Sequence, residues 1–133
     1  MTTFIQYILK PILSSLKNCG ANNAFYIDGV YYSYRQLAER VASIRYGIQT
    51  AGSTEQVWAL AIHDDLDTYA AIFALWMEGK AYVPLHPNQP LDRNQNIIAQ
   101  VGLHNVLDSH YKSPFDINDA KYVVHYTNDV HYA

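Results

Sequence analysis

This chain of 133 residues has a single cysteine, few charges and no cluster of glycines. Each scarcity excludes something. Cys19 has no second cysteine to bridge to, so the fold must rest on its core, and a reducing cytoplasm is the expected setting. Just past a helical stretch, it is expected to be a small, half-buried side chain. Charged residues make up 16% of the chain against 50% hydrophobic, which excludes a disordered polar segment. Nine Lys and Arg against twelve Asp and Glu leave a net charge of −3 and no basic face for a nucleic-acid backbone. No apolar run approaches the roughly 18 residues that a membrane-spanning helix needs. Gln6, Lys10 and Pro11 interrupt the first apolar stretch, which does not read as a signal peptide. Neither nucleic acid nor membrane is therefore expected as a partner.

The six glycines are Gly20, Gly29, Gly47, Gly52, Gly79 and Gly102, and no two are closer than five positions. A loop that cradles a triphosphate brings several backbone N–H groups close to one anion, which calls for closely spaced small residues and usually a lysine. No such loop is present.

What is present reads as an alternating α/β chain of one domain. Phe4, Ile5, Ile8, Leu9, Ile12, Leu13 and Leu16 repeat at helical spacing, and Pro11 is expected to kink or split that helix. Phe25–Ile27 and Val30–Tyr32 flank Asp28-Gly29, a pair suited to a tight hairpin turn with positive φ at both positions. Ser33 and Gln36 form a capping box at the start of a helix whose inward stripe is Tyr34, Leu37, Ala38, Val41, Ile44 and Ile48, ending at Gly52. Val57–Ile62 is a continuous apolar run, the pattern of a strand covered on both faces. An Asp after His63 is expected to cap the next helix, with Tyr69, Ile72, Phe73, Trp76 and Met77 on its core side. Gly79 ends that helix. A short buried strand follows over Ala81, Tyr82, Val83 and Leu85, stopped by Pro84 and Pro87. A helix over 88–101 carries Leu91, Ile97, Ile98 and Val101 as its apolar positions. Strands are expected at 105–108 and 122–124. Three strand–helix–strand steps in a row predict a mostly parallel sheet with flanking helices.

The stretch Leu75–Arg93, LWMEGKAYVPLHPNQPLDR, also carries a resemblance. Leu75–Pro87 is similar to the second core motif of adenylate-forming enzymes, close to LKAGxAYVPLDP. Gln89-Pro90 and Asp92-Arg93 resemble its continuation. Earlier, Tyr32-Ser33-Tyr34-Arg35-Gln36-Leu37 resembles the first core motif, roughly L-T-Y-x-E-L. The resemblance runs from about Asn23 to Ser109 and is greatest to the amino-acid adenylation domains of peptide synthetases, D-alanine ligases and acyl-CoA ligases. It implies an α/β fold, the first part of the large N-terminal domain of such an enzyme. Residues 1–133 would form one truncated domain: an N-terminal helix over 1–22, the family-like region over 23–109, and a loop with a last strand over 110–133. The matching positions, Ser33, Tyr34, Leu37, Gly79, Tyr82, Pro84, Pro87, Pro90 and Arg93, are expected to be structural. His86 stands where the family usually has Asp.

The resemblance assigns no catalytic, cofactor-binding or metal-binding residue in this chain. ATP and Mg²⁺ are expected only for the full-length parent, because the family's phosphate loop, adenine-contacting aromatic, Mg²⁺ carboxylate, ribose-binding Asp and late lysine have no counterpart. The chain reaches His131-Tyr132-Ala133 about where the strand before that loop would begin. Three other groups invite a role. His63, His86, His104, His110, His125 and His131 lack metal-ligand spacing and read as solvated or capping side chains. Asp64, Asp65 and Asp67 read as a favourable helix start rather than an acid/base or Mg²⁺ group. Asp92-Arg93 reads as a helix start with an arginine tying down the loop rather than as a substrate clamp. Tyr31, Tyr32, Tyr34, Tyr82 and Tyr122 are expected at core or half-core positions.

Three functions fit this sequence. The first is an inactive N-terminal piece of an ATP-dependent acid–thiol ligase, whose partner is the remainder of the parent. Surface left bare by the absent remainder would favour a two-fold dimer. The second is a stand-alone, non-catalytic interaction module of the same fold. The third, a small nucleotide-binding protein unrelated to ligases, is disfavoured by the lack of glycine in the loop over 62–66.

Overall fold

The computed structural model describes residues 3–115 and 122–127. Ten elements follow one another: α1 (Thr3–Asn18), β1 (Asn23–Ile27), β2 (Val30–Ser33), α2 (Tyr34–Ala51), β3 (Val57–Ala61), α3 (Leu66–Met77), β4 (Ala81–Leu85), α4 (Leu91–Val101), β5 (Asn105–Asp108) and β6 (Val123–Tyr126). β1 and β2 pair antiparallel as a hairpin. The other four strands form a parallel sheet in the order β4-β3-β5-β6. Because β2 lies in the hairpin, two of the three expected helical crossovers belong to the sheet: β3-α3-β4 and β4-α4-β5.

Local chemistry sets most boundaries. Asp28 and Gly29 have φ of 51° and 82°, the conformation that joins two strands of right-handed twist. The Ser33 hydroxyl accepts from the Gln36 N–H, and the Gln36 side chain accepts from the Ser33 N–H. At the far end of α3, Gly79 adopts φ 76°; its N–H donates to the Trp76 carbonyl and that of Lys80 to the Leu75 carbonyl. Those two bonds are a Schellman cap, which lets the chain reverse into β4. α1 runs unbroken through Pro11, so the helix does not split there.

The strand alternation of β3 sorts the core into two faces. Trp58 and Leu60 point to one side, where α2 and α3 supply Leu37, Val41, Ile44, Ile48, Ala70, Ala71, Ala74 and Leu75. Ala59 and Ala61 point to the other, against Leu85, Val106, Ile98 of α4, Leu103 and Phe115. Three details depart from the sequence reading. The buried side of α3 is Thr68, Ala70, Ala71, Ala74 and Leu75, whereas Tyr69, Ile72, Phe73, Trp76 and Met77 are only half-buried. Small residues let the helix approach the sheet and α2 closely, and the large side chains fill the margins. β4 is an edge strand with only Leu85 fully buried, and Pro84 sits inside it opposite Leu60 rather than ending it. An edge strand tolerates that proline because one row of its N–H groups has no partner strand to meet. α4 begins at Leu91 rather than 88, and its buried residues are Asn94 and Ile98, with Leu91 and Val101 exposed.

Candidate functional site at the carboxyl edge of the sheet

The chain leaves β3 over the α2/α3 face toward β4, and leaves β5 on the opposite face toward β6, where Phe115 is packed. Neighbouring strands whose connections diverge open a crevice at their carboxyl ends, the usual ligand position of open α/β sheets. The residues there come from the loops after β3 and β5: His63, Asp64, Asp65, Asp108, Ser109 and His110.

They form two hydrogen-bonded sets, His63–Asp108–His110 and Ser109–Asp65, which approach each other where His110 Nε2 lies 3.6 Å from Asp65 Oδ2; Asp64 bonds elsewhere. His63 Nε2 lies 2.9 Å from Oδ1 of Asp108, a carboxylate with no solvent exposure. The same Oδ1 accepts from the His110 N–H, and the His110 ring stacks on His63 with centroids 3.7 Å apart. The Ser109 hydroxyl donates to Asp65, and Asp65 also caps α3 by accepting from the Thr68 N–H. Burial opposes charge on Asp65, but the bonds from Ser109 and Thr68 and the nearby His63 outweigh it and hold the carboxyl below its usual range. Asp64 accepts from the Tyr69 hydroxyl, which raises that phenol's pKa. Asp67 pairs with Arg40 at 2.7 Å, and Arg40 also donates to the Thr127 carbonyl, tying α2, α3 and the end of β6 together.

The site therefore gathers carboxylates and imidazoles. The loop after β3 holds neither a glycine nor a lysine, the loop after β5 has Lys112 but no glycine, and Asp64, Asp65 and Asp108 would repel a phosphate. Among the described residues, no group of three or more His, Cys, Asp or Glu is placed to hold a metal ion. The expectation that each histidine is solvated or capping fails for His63, which is tied to a buried carboxylate, and for His125. His125 stacks on Trp58 at 5.1 Å and bonds Asn105. Burial lowers the His125 pKa. His86 and His104 are exposed, and His104 pairs with Glu55; His131 lies outside the described residues. The His63–Asp108 link joins positions 45 apart, and no local pattern announces it.

The motif residues are spread over the elements rather than gathered in the crevice. Ser33 caps α2, while Tyr34 and Leu37 face the core from its first turn. Gly79 caps α3, and Tyr82 packs half-buried on the Trp58 side. Pro84 lies on the sheet edge, Pro87 is half-buried in the loop after β4, and Pro90 supplies the carbonyl that accepts from the N–H groups of Arg93 and Asn94. The Arg93 side chain is exposed and binds nothing among the described residues, so it does not tie the loop down. Asn94 does so, donating to the His86 carbonyl. Tyr31 is 63% exposed and packs its ring, tilted by 48°, against its cross-strand partner Tyr26, outside the core position expected of it. Cys19 is half-buried after α1, as expected.

The fold defines a class, an open parallel α/β unit with a helix-led hairpin in front. Comparison with known proteins then places it: the chain belongs to the AMP-binding enzyme family, whose family model matches residues 15–129. Surfactin synthase subunit 1 of Bacillus subtilis (strain 168) is 30% identical over 98 residues, which are 70% of this chain and 3% of that protein. A four-domain nonribosomal peptide synthetase, solved as holo-AB3403 bound to AMP and glycine, superposes with a TM-score of 0.82 at 28% identity, covering 99% of this chain and 10% of that one. Klebsiella oxytoca NpsA, in complex with 3-hydroxyanthranilyl-AMSN, has the same fold at TM-score 0.74 and 18% identity, covering 94% of this chain and 25% of NpsA. The chain thus spans a small part of the relatives it matches and corresponds to the N-terminal part of a peptide-synthetase-type adenylation domain. Among the described residues, no helix is long and apolar enough to cross a membrane.

Proposed function

We propose that this chain is the front structural unit of an ATP-dependent carboxylate-activating ligase in the cytoplasm. In the parent, an amino or fatty acid attacks the α-phosphorus of ATP and releases pyrophosphate. A thiol then takes the acyl group from the adenylate and frees AMP. ATP and Mg²⁺ belong to that parent. The residues present here do not fit them, since the crevice where the sheet would receive a nucleotide is acidic and lacks a phosphate-binding loop. The 133 residues alone are therefore expected to adenylate nothing. Their contribution is the sheet on which the parent's site is assembled. Its motif-bearing residues Ser33, Tyr34, Leu37, Gly79, Tyr82, Pro84, Pro87 and Pro90 serve the fold, and the exposed Arg93 is left for the remainder of the parent to engage.

The observation that carries this reading is the pairing of both core motifs, in order, with apolar side chains left exposed on α4. α4 leaves Leu91 and Val101 exposed, and Asp108 Oδ2 and Asn94 Oδ1 are buried without a donor among the described residues. Buried acceptors normally have partners, so donors from the remainder of the parent are expected to supply them. Alone, the chain is expected to self-associate through that side of α4. Sequencing the native gene past the Ala133 codon tests the proposal. We expect an open frame that enters a Ser/Thr/Gly-rich loop with a lysine; an immediate stop codon would overturn it. A pyrophosphate-release assay on the isolated chain, with a panel of amino and fatty acids, should stay at the blank. An ATP-dependent signal would refute the inactivity.

A further inference from the structure

A groove of about 750 Å³ runs beside α1, away from the sheet's carboxyl edge. Its apolar floor is Leu9, Leu13 and Met77, and its rim carries Lys10, Lys17 and Arg45. Lys10 and Lys17 are seven residues apart, two helical turns or about 10 Å along one side of α1, with Leu13 between them. α1 contains no acidic residue. Arg45 is held by Glu78 at 2.9 Å, but neither lysine has a counter-ion among the described residues. In a chain of net charge −3, two free cations flanking an apolar trough form a local field of the opposite sign.

The geometry points to a docking groove for an acidic amphipathic helix of another protein or domain. Its carboxylates, one heptad apart, would meet Lys10 and Lys17, and its apolar ridge would lie on Leu9, Leu13 and Met77. This is the helix-in-groove mode of recognition, in which apolar anchors give affinity and charges set register. A second copy of this chain is a poor occupant. α2, α3 and α4 carry one carboxylate each, Glu39, Asp67 and Asp92, so none offers two a heptad apart. A lipid surface is also a poor fit, because Leu9 is buried at 5% exposure and the apolar surface is concave.

The test uses the full chain and two fluorescein-labelled helical peptides. One carries Glu a heptad apart with Leu at the intervening third and fourth positions; in the other, Lys replaces Glu. Fluorescence anisotropy should show saturable binding of the acidic peptide. Binding should weaken about tenfold in the Lys10→Glu/Lys17→Glu double variant, which should instead gain affinity for the Lys peptide. Both substitutions are on exposed positions, and an unchanged far-UV circular dichroism spectrum would confirm the fold. The proposal is overturned if the acidic peptide does not saturate, if both peptides bind the natural chain equally, or if the charge swap fails to restore binding. Binding to phosphatidylserine vesicles, or dimerisation in sedimentation velocity, that is lost in the double variant would reassign the groove to a membrane or a second copy. None of these readouts depends on ligase activity.

Discussion

The two faces of the sheet are built differently. On one, α2 and α3 cover Trp58, Leu60 and Leu107 with a continuous set of buried aliphatic and small side chains. On the other, α4 contributes Ile98 to a smaller cluster, while Leu91 and Val101 stay exposed. The first face is finished by this chain's own residues, and the second is finished only in part. The contrast teaches where stability resides and where apolar side chains remain exposed.

The contrast can be broken or sharpened by substitution. Trp58→Ala removes a fully buried indole from the finished face and should cost about 3–5 kcal/mol, comparable to the whole stability of a small domain. Urea denaturation should find the variant largely unfolded; a loss under 1 kcal/mol would mean that this face is not the main core. Ala71→Leu should cost about 1–3 kcal/mol by overpacking the helix contact, whereas Ala99→Leu on the exposed side of α4 should stay within about 0.5 kcal/mol. Equal costs would erase the distinction between the two helices.

Acid should act on the finished face through His125, whose pKa burial holds below the ordinary 6.5. The unfolded chain then binds the proton first, so stability falls as pH drops below about 6.5 and levels off once the folded histidine also protonates. His125→Gln should flatten that part of the stability–pH curve, measured by thermal melts between pH 5 and 8, the range in which an unperturbed histidine titrates. Asp65 works at lower pH. Its depressed pKa gives stability that is present above about 3.8 and is lost as pH falls through the folded value. The smallest effect on stability belongs to Leu91→Gln/Val101→Gln, expected within about 0.5 kcal/mol. Yet that pair should reduce self-association in light scattering. No change in particle size would remove the α4 face as the contact.

Much of this was legible in the chain wherever the controlling chemistry is local. The Asp28-Gly29 turn, the Ser33–Gln36 capping box, the Asp65 cap and the strand at 105–108 each follow from a few neighbouring residues. The inward side of α3 was not legible. Ten of its twelve residues are hydrophobic, so the helix is apolar nearly all round and periodicity cannot choose a side. The choice fell to the smallest residues because the space between sheet and α2 is narrow. Pro84 was misread for a related reason, since only the strand order reveals that β4 is an edge. The crevice was the least visible part. Its central bond joins His63 to Asp108 across two strand ends, and the resemblance concerned motifs that lie elsewhere on the elements.

The strand order β4-β3-β5-β6 has a consequence for biosynthesis. β3 emerges first, β4 joins one side of it, β5 joins the other, and β6 then extends the β5 side. Each new strand meets a partner that is already out of the ribosome, so the sheet can grow outward from β3 during translation without waiting for later sequence. Domains generally fold as units while the chain is being made, N-terminal parts first. A sheet that assembles in its order of synthesis would have β6 as its last-added, ordered edge.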